Sequence, residues 1–300
     1  ALADYLKDDP KTLTELMLLS DSDREFQPLL LALRNHRQSV VPELQALLSQ
    51  TVSVGDASWK KQANAAVCLQ ELGEPKLVWP LFQQTPNPSI RSFLIDRLAL
   101  MGANHETLAA RIKQESDPVR RYALILALGH FDFSKMSSQQ RQDVVKQLAT
   151  LYRDDPASGV HSAAAWALRN WQQAHAELRN SPANKDRNWF VNLQGQTFAI
   201  VNGPVEFLMG DEEEGNGPKK VTLSHSFAMA THEVTVSQFQ KFRSDHEHNP
   251  TYARQSDSPV NEVSWYDAVA YCNWLSEQEG LERCYEPNDQ DEYSEGMKIP

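Results

Sequence analysis

Hydrophobic positions change their period once along the chain, and that change divides it. From residue 1 to about 180, apolar side chains recur every three or four residues in runs separated by short polar breaks, which predicts helix after helix. In "DPVRRYALILAL", Tyr122, Leu124, Ile125 and Leu128 fall at helical spacing. The polar stretch "RNSPANKDRN" (179–188) holds one Pro and marks a boundary. After it alternation replaces the helical period. "FAIVNGPVEFLMG" carries two β-rich runs around Asn202-Gly203, a hairpin turn signal, with Pro204 pointing to a longer or irregular loop. "VTLSHSFAMA" alternates so that Val221, Leu223, His225, Phe227 and Met229 share one face of a predicted strand. Two helices follow. Thr235 and Gln238 form a capping box ahead of Phe239 and Phe242. Ser264 and Asp267 repeat that logic ahead of a predicted core stripe of Trp265, Ala268, Val269, Cys272 and Leu275, which Gly280 terminates.

The first part repeats itself. "SWKKQANAAVCL", "NPSIRSFLIDRL", "DPVRRYALILAL" and "DPASGVHSAAAWAL" end at Leu69, Leu98, Leu128 and Leu168, so the intervals are 29, 30 and 40 residues. Each copy has a break, a polar or basic residue and an apolar helix. Asn87 and Asp117 suit helix caps, Pro88 and Pro118 the first turn, and Arg91 and Arg120 follow at similar offsets. Ala163, Ala164 and Ala165 permit close helix approach. The pattern resembles HEAT-type repeats of a compact, short-period kind. That resemblance implies an α-solenoid, whose units bury their cores only against their neighbours, and a surface for a protein or peptide partner.

Composition narrows the function classes. Net charge is −11 and pI about 5.3, with no basic cluster, which argues against nucleic acid as a partner. No apolar run reaches the length of a membrane-spanning helix. Three cysteines, Cys68, Cys272 and Cys284, do not make a disulfide framework, and Cys272 reads as a core thiol without a base beside it. The sequence opens at Ala1, so a signal peptide or anchor upstream is compatible with it, and the compartment stays open.

Three ordered blocks carry a family resemblance: "FAIVNGPVEFLMG", "VTLSHSFAMATHEVTVSQFQKF" and "SPVNEVSWYDAVAYCNWLSEQEGLERCYEP". Together they resemble the formylglycine-generating enzyme, or sulfatase-modifying factor, domain. The resemblance covers the first part of that domain only, with "GMKIP" before or at the start of its next segment. It implies an α+β, C-type-lectin-like, irregular fold. The expected organisation is therefore a HEAT-like α-solenoid over 1–180, a linker at 181–188, and the N-terminal part of a formylglycine-generating-enzyme-like domain over 189–300. Helical repeats ahead of such a domain also resemble bacterial multidomain proteins with an upstream serine/threonine kinase domain, although no kinase motif stands here. The related non-haem iron sulfoxide synthases use a histidine-rich helical motif that the first part lacks.

The family's copper-binding cysteine pair and calcium ligands belong to the half of the domain beyond the resemblance. Cys272 and Cys284 sit at positions often Cys in the family, but they are not that pair. The expectation is thus no catalytic, cofactor-binding or metal residue within 1–300. Copper and calcium are implied only outside it. Other constellations favour bland readings: His246, Glu247 and His248 have no further ligand at sensible spacing; His225 and His232 read as strand residues; Asp211 to Glu214 lack calcium-loop alternation. Two functions remain: a regulatory or binding region of a larger protein, and a formylglycine-generating oxidoreductase that converts a substrate cysteine.

Overall fold

A computed structural model describes residues 2–50, 56–173, 178, 181–210 and 217–298. The chain separates into two compact units, Ala1–His175 and Ala176–Pro300.

The first unit is helical. In chain order its helices are α1 (Leu2–Tyr5), α2 (Pro10–Leu19), α3 (Asp23–Leu33), α4 (Arg37–Leu48), α5 (Asp56–Glu71), α6 (Ser89–Leu100), α7 (His105–Gln114), α8 (Pro118–Gly129), α9 (Ser138–Asp154) and α10 (Ser158–Asn170). Local chemistry starts several of them. Asp117 accepts from the Val119 and Arg120 N–H groups, and Pro118 fills the first turn of α8. Asn87 accepts from the Ser89 N–H at the start of α6. Helices α2, α5, α6, α8 and α10 form a row in which each packs on the next; α3, α4, α7 and α9 flank it on α2, α5, α8 and α10. Four members of that row, α5, α6, α8 and α10, are the four sequence copies. The unequal intervals have a physical source. The element between α5 and α6 is two 3-10 turns, Pro75–Leu77 and Trp79–Phe82, whereas α7 has 10 residues and α9 has 17. The buried row is lined by small residues where helices cross. A Cβ on Gly129 would lie 2.4 Å from the Trp166 ring and 3.1 Å from Ala167.

The equivalence of Arg91 and Arg120 shifts by one residue. Arg121 is the counterpart of Arg91, and each reaches the start of the following copy. Arg91 Nη2 donates to the Val119 carbonyl at 3.4 Å, and Arg121 Nη1 donates to Asp155 at 2.6 Å. Arg120 instead pairs with Glu115, together with Arg111. Glu115 is buried at 2 % exposure. Burial pushes its carboxyl up, but hydrogen bonds from Arg120, the Asp117 N–H and Arg111 outweigh that and hold it at about 2.

The second unit contains β1 (Trp189–Val191), β2 (Thr197–Val201), β3 (Val205–Met209), β4 (Lys219–Leu223), β5 (Phe227–Ala230), α11 (Val236–Phe242) and α12 (Trp265–Gln278). Strands β1, β2 and β5 form one antiparallel sheet in that order, and β3 pairs with β4 in another. Two expectations fail here. The Asn202-Gly203 turn does not close a hairpin, because β2 pairs with β1 and β5 while β3 pairs with β4. "VTLSHSFAMA" is two strands, not one, broken at Ser224–Ser226. The crossing explains both. A Cβ on Gly203 would meet the His225 carbonyl oxygen at 2.4 Å, so the two breaks pass against each other. The segment expected as a linker also takes part in the second unit, since Ser181 bridges Val191.

Candidate functional site

Helix α12 organises the most distinctive surface of the second unit. Ser264 accepts from the Asp267 N–H at 3.2 Å, and Asp267 accepts from the Ser264 N–H at 3.0 Å, so the expected capping box forms. The Ser264 hydroxyl, and beyond burial the Arg243 guanidinium, hold the Asp267 carboxyl below its ordinary value. Through Arg243 the box is tied to the end of α11 at 2.5 Å. Helix α11 begins with the other expected box, Thr235 with Gln238. Phe239 is buried, stacks on Tyr271 at 5.4 Å and meets Phe242 edge-on at 5.6 Å.

The buried face of α12 keeps Val269 of the predicted stripe but is otherwise a different one. Val269, Tyr271 and Asn273 are buried, whereas Trp265, Ala268 and Cys272 are exposed and Leu275 is half-buried. Polar groups turned the helix. Gln196 Nε2 donates to the Tyr271 hydroxyl at 2.9 Å, and Asn192 Nδ2 donates to Gln196 Oε1 at 2.8 Å, all inside the core. Burial pushes the Tyr271 hydroxyl up to about 12. A second polar knot lies one residue beyond Cys272. Asn273 Oδ1 accepts from the N–H groups of Cys284 at 3.0 Å and Tyr285 at 3.2 Å. Its Nδ2 donates to the Tyr285 carbonyl at 2.7 Å and the Tyr293 hydroxyl at 2.8 Å. No apolar-stripe rule selects Asn192, Gln196 or Asn273. Their only signal is a polar side chain among aromatic neighbours.

The outward face therefore carries Trp265, Cys272 and the returning loop with Cys284 and Tyr285. Trp265 and Tyr285 meet edge-on at 6.1 Å. Cys272 is an exposed residue, yet its thiol is partly desolvated, which pushes it above 9.0; Cys284 pushes it the same way. Among the described residues, the influences on this thiol are burial and Cys284, and neither is an activating charge. Cys68 lies at the other extreme, fully buried on α5 and pushed up to about 12 by burial.

His246, His225 and His232 have polar neighbours. His246 Nε2 lies 2.9 Å from the Asn261 carbonyl, and its ring meets Phe239 edge-on at 4.7 Å, so His246 ties its loop to the 261 segment and to α11. His225 stands exposed in the break between β4 and β5 beside the Ser224 hydroxyl, and His232 follows β5 beside the Thr231 hydroxyl. Neither lies within a strand. Asp211 to Glu214 fall outside the described residues. Among the described residues, no three His, Cys, Asp or Glu side chains gather to hold a metal ion. No helix among the described residues is long and apolar enough to cross a membrane.

Comparison with known proteins agrees with the sequence blocks. Residues 191–294 match the family described as the sulfatase-modifying factor enzyme 1-like domain. A relative named "Chaperone protein LppX", from Paenibacillus barcinonensis, is 38% identical over 85 residues, which cover 27% of this chain and 29% of the relative. The match thus spans under a third of that protein's length. No solved structure matches.

Proposed function

We propose that the chain is a protein-binding, regulatory region of a larger bacterial multidomain protein, in which HEAT-like repeats and a lectin-like, sulfatase-modifying-factor-like domain hold a partner polypeptide. One observation carries this reading: strand β3 is exposed at every position, with Val205, Phe207, Leu208 and Met209 presenting large apolar surface. Its sheet has β4 alone as a partner among the described residues, so backbone donors and acceptors lie beside apolar side chains. Such an edge suits an extended polypeptide, which supplies both a ladder and side chains to bury. The chaperone name of the relative supports the same class of partner. An upstream serine/threonine kinase domain belongs to this proposal as the part that binding would regulate.

A reduced, carboxymethylated polypeptide of permanently unfolded kind is the direct probe. Binding by the intact chain, weakened about tenfold or more by Leu208→Asp, is expected; a charge on the apolar face removes roughly 1.4 kcal/mol or more. No binding by the intact chain, or equal binding by the variant, rejects the reading.

A second reading is favoured by the family match at 191–294: a formylglycine-generating oxidoreductase. It would place copper, calcium and catalytic cysteines on residues outside 1–300. Incubation of the full-length protein with a cysteine-containing peptide, copper and oxygen, followed by hydroxylamine tagging of aldehydes, decides it. Absence of tagged peptide excludes this activity.

A further inference from the structure

We propose that Cys272 and Cys284 form a reversible intramolecular disulfide that fastens the loop after α12 to the helix. Three features place the residues for it. The chain reverses at Gly280, whose φ of 69° ends α12, while the Leu281 N–H donates to the Ser276 carbonyl at 2.8 Å. Buried Asn273 then grips the backbone of 284 and 285 with three hydrogen bonds, accepting from the Cys284 and Tyr285 N–H groups and donating to the Tyr285 carbonyl, and donates a fourth to the Tyr293 hydroxyl. That grip fixes Cys284 beside the turn of α12 that carries Cys272, since Asn273 is the next residue along the helix. Both are free and exposed, so an oxidant reaches them.

The chemistry requires a disulfide oxidant such as oxidised glutathione. One protein thiolate attacks a glutathione sulfur, giving a mixed disulfide and one glutathione thiolate, which takes up the proton lost by the first protein thiol. The second protein thiolate attacks the protein sulfur of that mixed disulfide, and the other glutathione thiolate leaves with the second proton. Two protein thiols become one disulfide and one glutathione disulfide becomes two thiols. The reaction is independent of the polypeptide-binding proposal.

The intact chain, exposed to oxidised glutathione, alkylated and digested under non-reducing conditions, gives the test. A peptide cross-linked between Cys272 and Cys284 is expected, released by reductant, with native Cys68 unmodified. Asn273→Ala should slow closure about tenfold, the equivalent of roughly one or two neutral hydrogen bonds. The wild-type chain alone suffices for falsification. Stable glutathione adducts at both positions without a cross-link, full alkylation of both thiols after oxidant, or only intermolecular bridges each overturn the proposal.

Discussion

Glu115 shows what a single residue does at a joint between helices. Its carboxylate stays ionised in a buried site because two guanidiniums and a backbone N–H compensate its lost hydration. Its folded value of about 2 lies below the ordinary 4.5, so the ionised form favours the folded state. The stability it contributes is complete above about pH 4.5 and is lost as pH falls toward about 2. Glu115→Gln should therefore destabilise the first unit by about 3 kcal/mol at neutral pH and flatten that acidic window, as urea unfolding at several pH values would show. An unchanged pH profile contradicts this. Cysteines provide a contrast at the same scale. Exposed Cys272→Ser should change stability by less than about 0.5 kcal/mol, whereas buried Cys68→Ser should cost about 1–3 kcal/mol. Parallel unfolding curves of the two variants check the difference.

At the scale of elements, two copies of the helical row, α6 and α8, are each bonded to the next by an arginine near the start of the helix. Arg121 reaches Asp155, which also accepts from the Ala157 N–H just ahead of α10. Arg121→Ala removes that strut and its two bonds to the Glu115 carbonyl, and should cost about 2–4 kcal/mol. Arg153→Ala should cost under about 0.5 kcal/mol, because its bond to Asp154 lies in solvent. Comparable losses in thermal unfolding would refute the joint. Such elements also show what was legible in the sequence. Capping boxes at Thr235 and Ser264, the Asp117 cap and the Gly280 stop involve residues three or four apart, and they form as read. The four repeat copies were equally visible because they share local texture. Strand partners were not. Which strand β2 joins depends on the approach of Gly203 to His225, twenty-two residues away. The face of α12 depends on Gln196 meeting Tyr271, which no helical period encodes. Cys272, which faces outward, was read as a core residue for that reason.

Across the whole molecule the two units differ in charge and in depth of core. Residues 1–175 hold 19 basic and 19 acidic side chains, and residues 176–300 hold 10 and 21, so the net charge of −11 falls in the second unit. Thirty-nine apolar side chains are buried in the first unit among the described residues, from Leu13 to Trp171. In the second unit seven are: Trp189, Val191, Val236, Phe239, Ala253, Val269 and Tyr271. Of the aromatics expected to load its core, Phe239 is buried, while Phe207 and Trp265 are 43% and 50% exposed. A small core and self-repulsion act in the same direction, because burial drives folding and like charges oppose compaction. Expressed alone, 1–175 should unfold in one cooperative transition, its neighbouring helices supplying each other's partners. Alone, 176–300 should unfold broadly and bind a hydrophobic dye before heating, as a chain with fluctuating packing does. Calorimetry and dye fluorescence on the two fragments test this. A sharp transition without dye binding from 176–300 would show that seven buried side chains and the Asn192, Gln196 and Asn273 networks suffice for a fixed fold, and that the exposed face of β3 needs no cover.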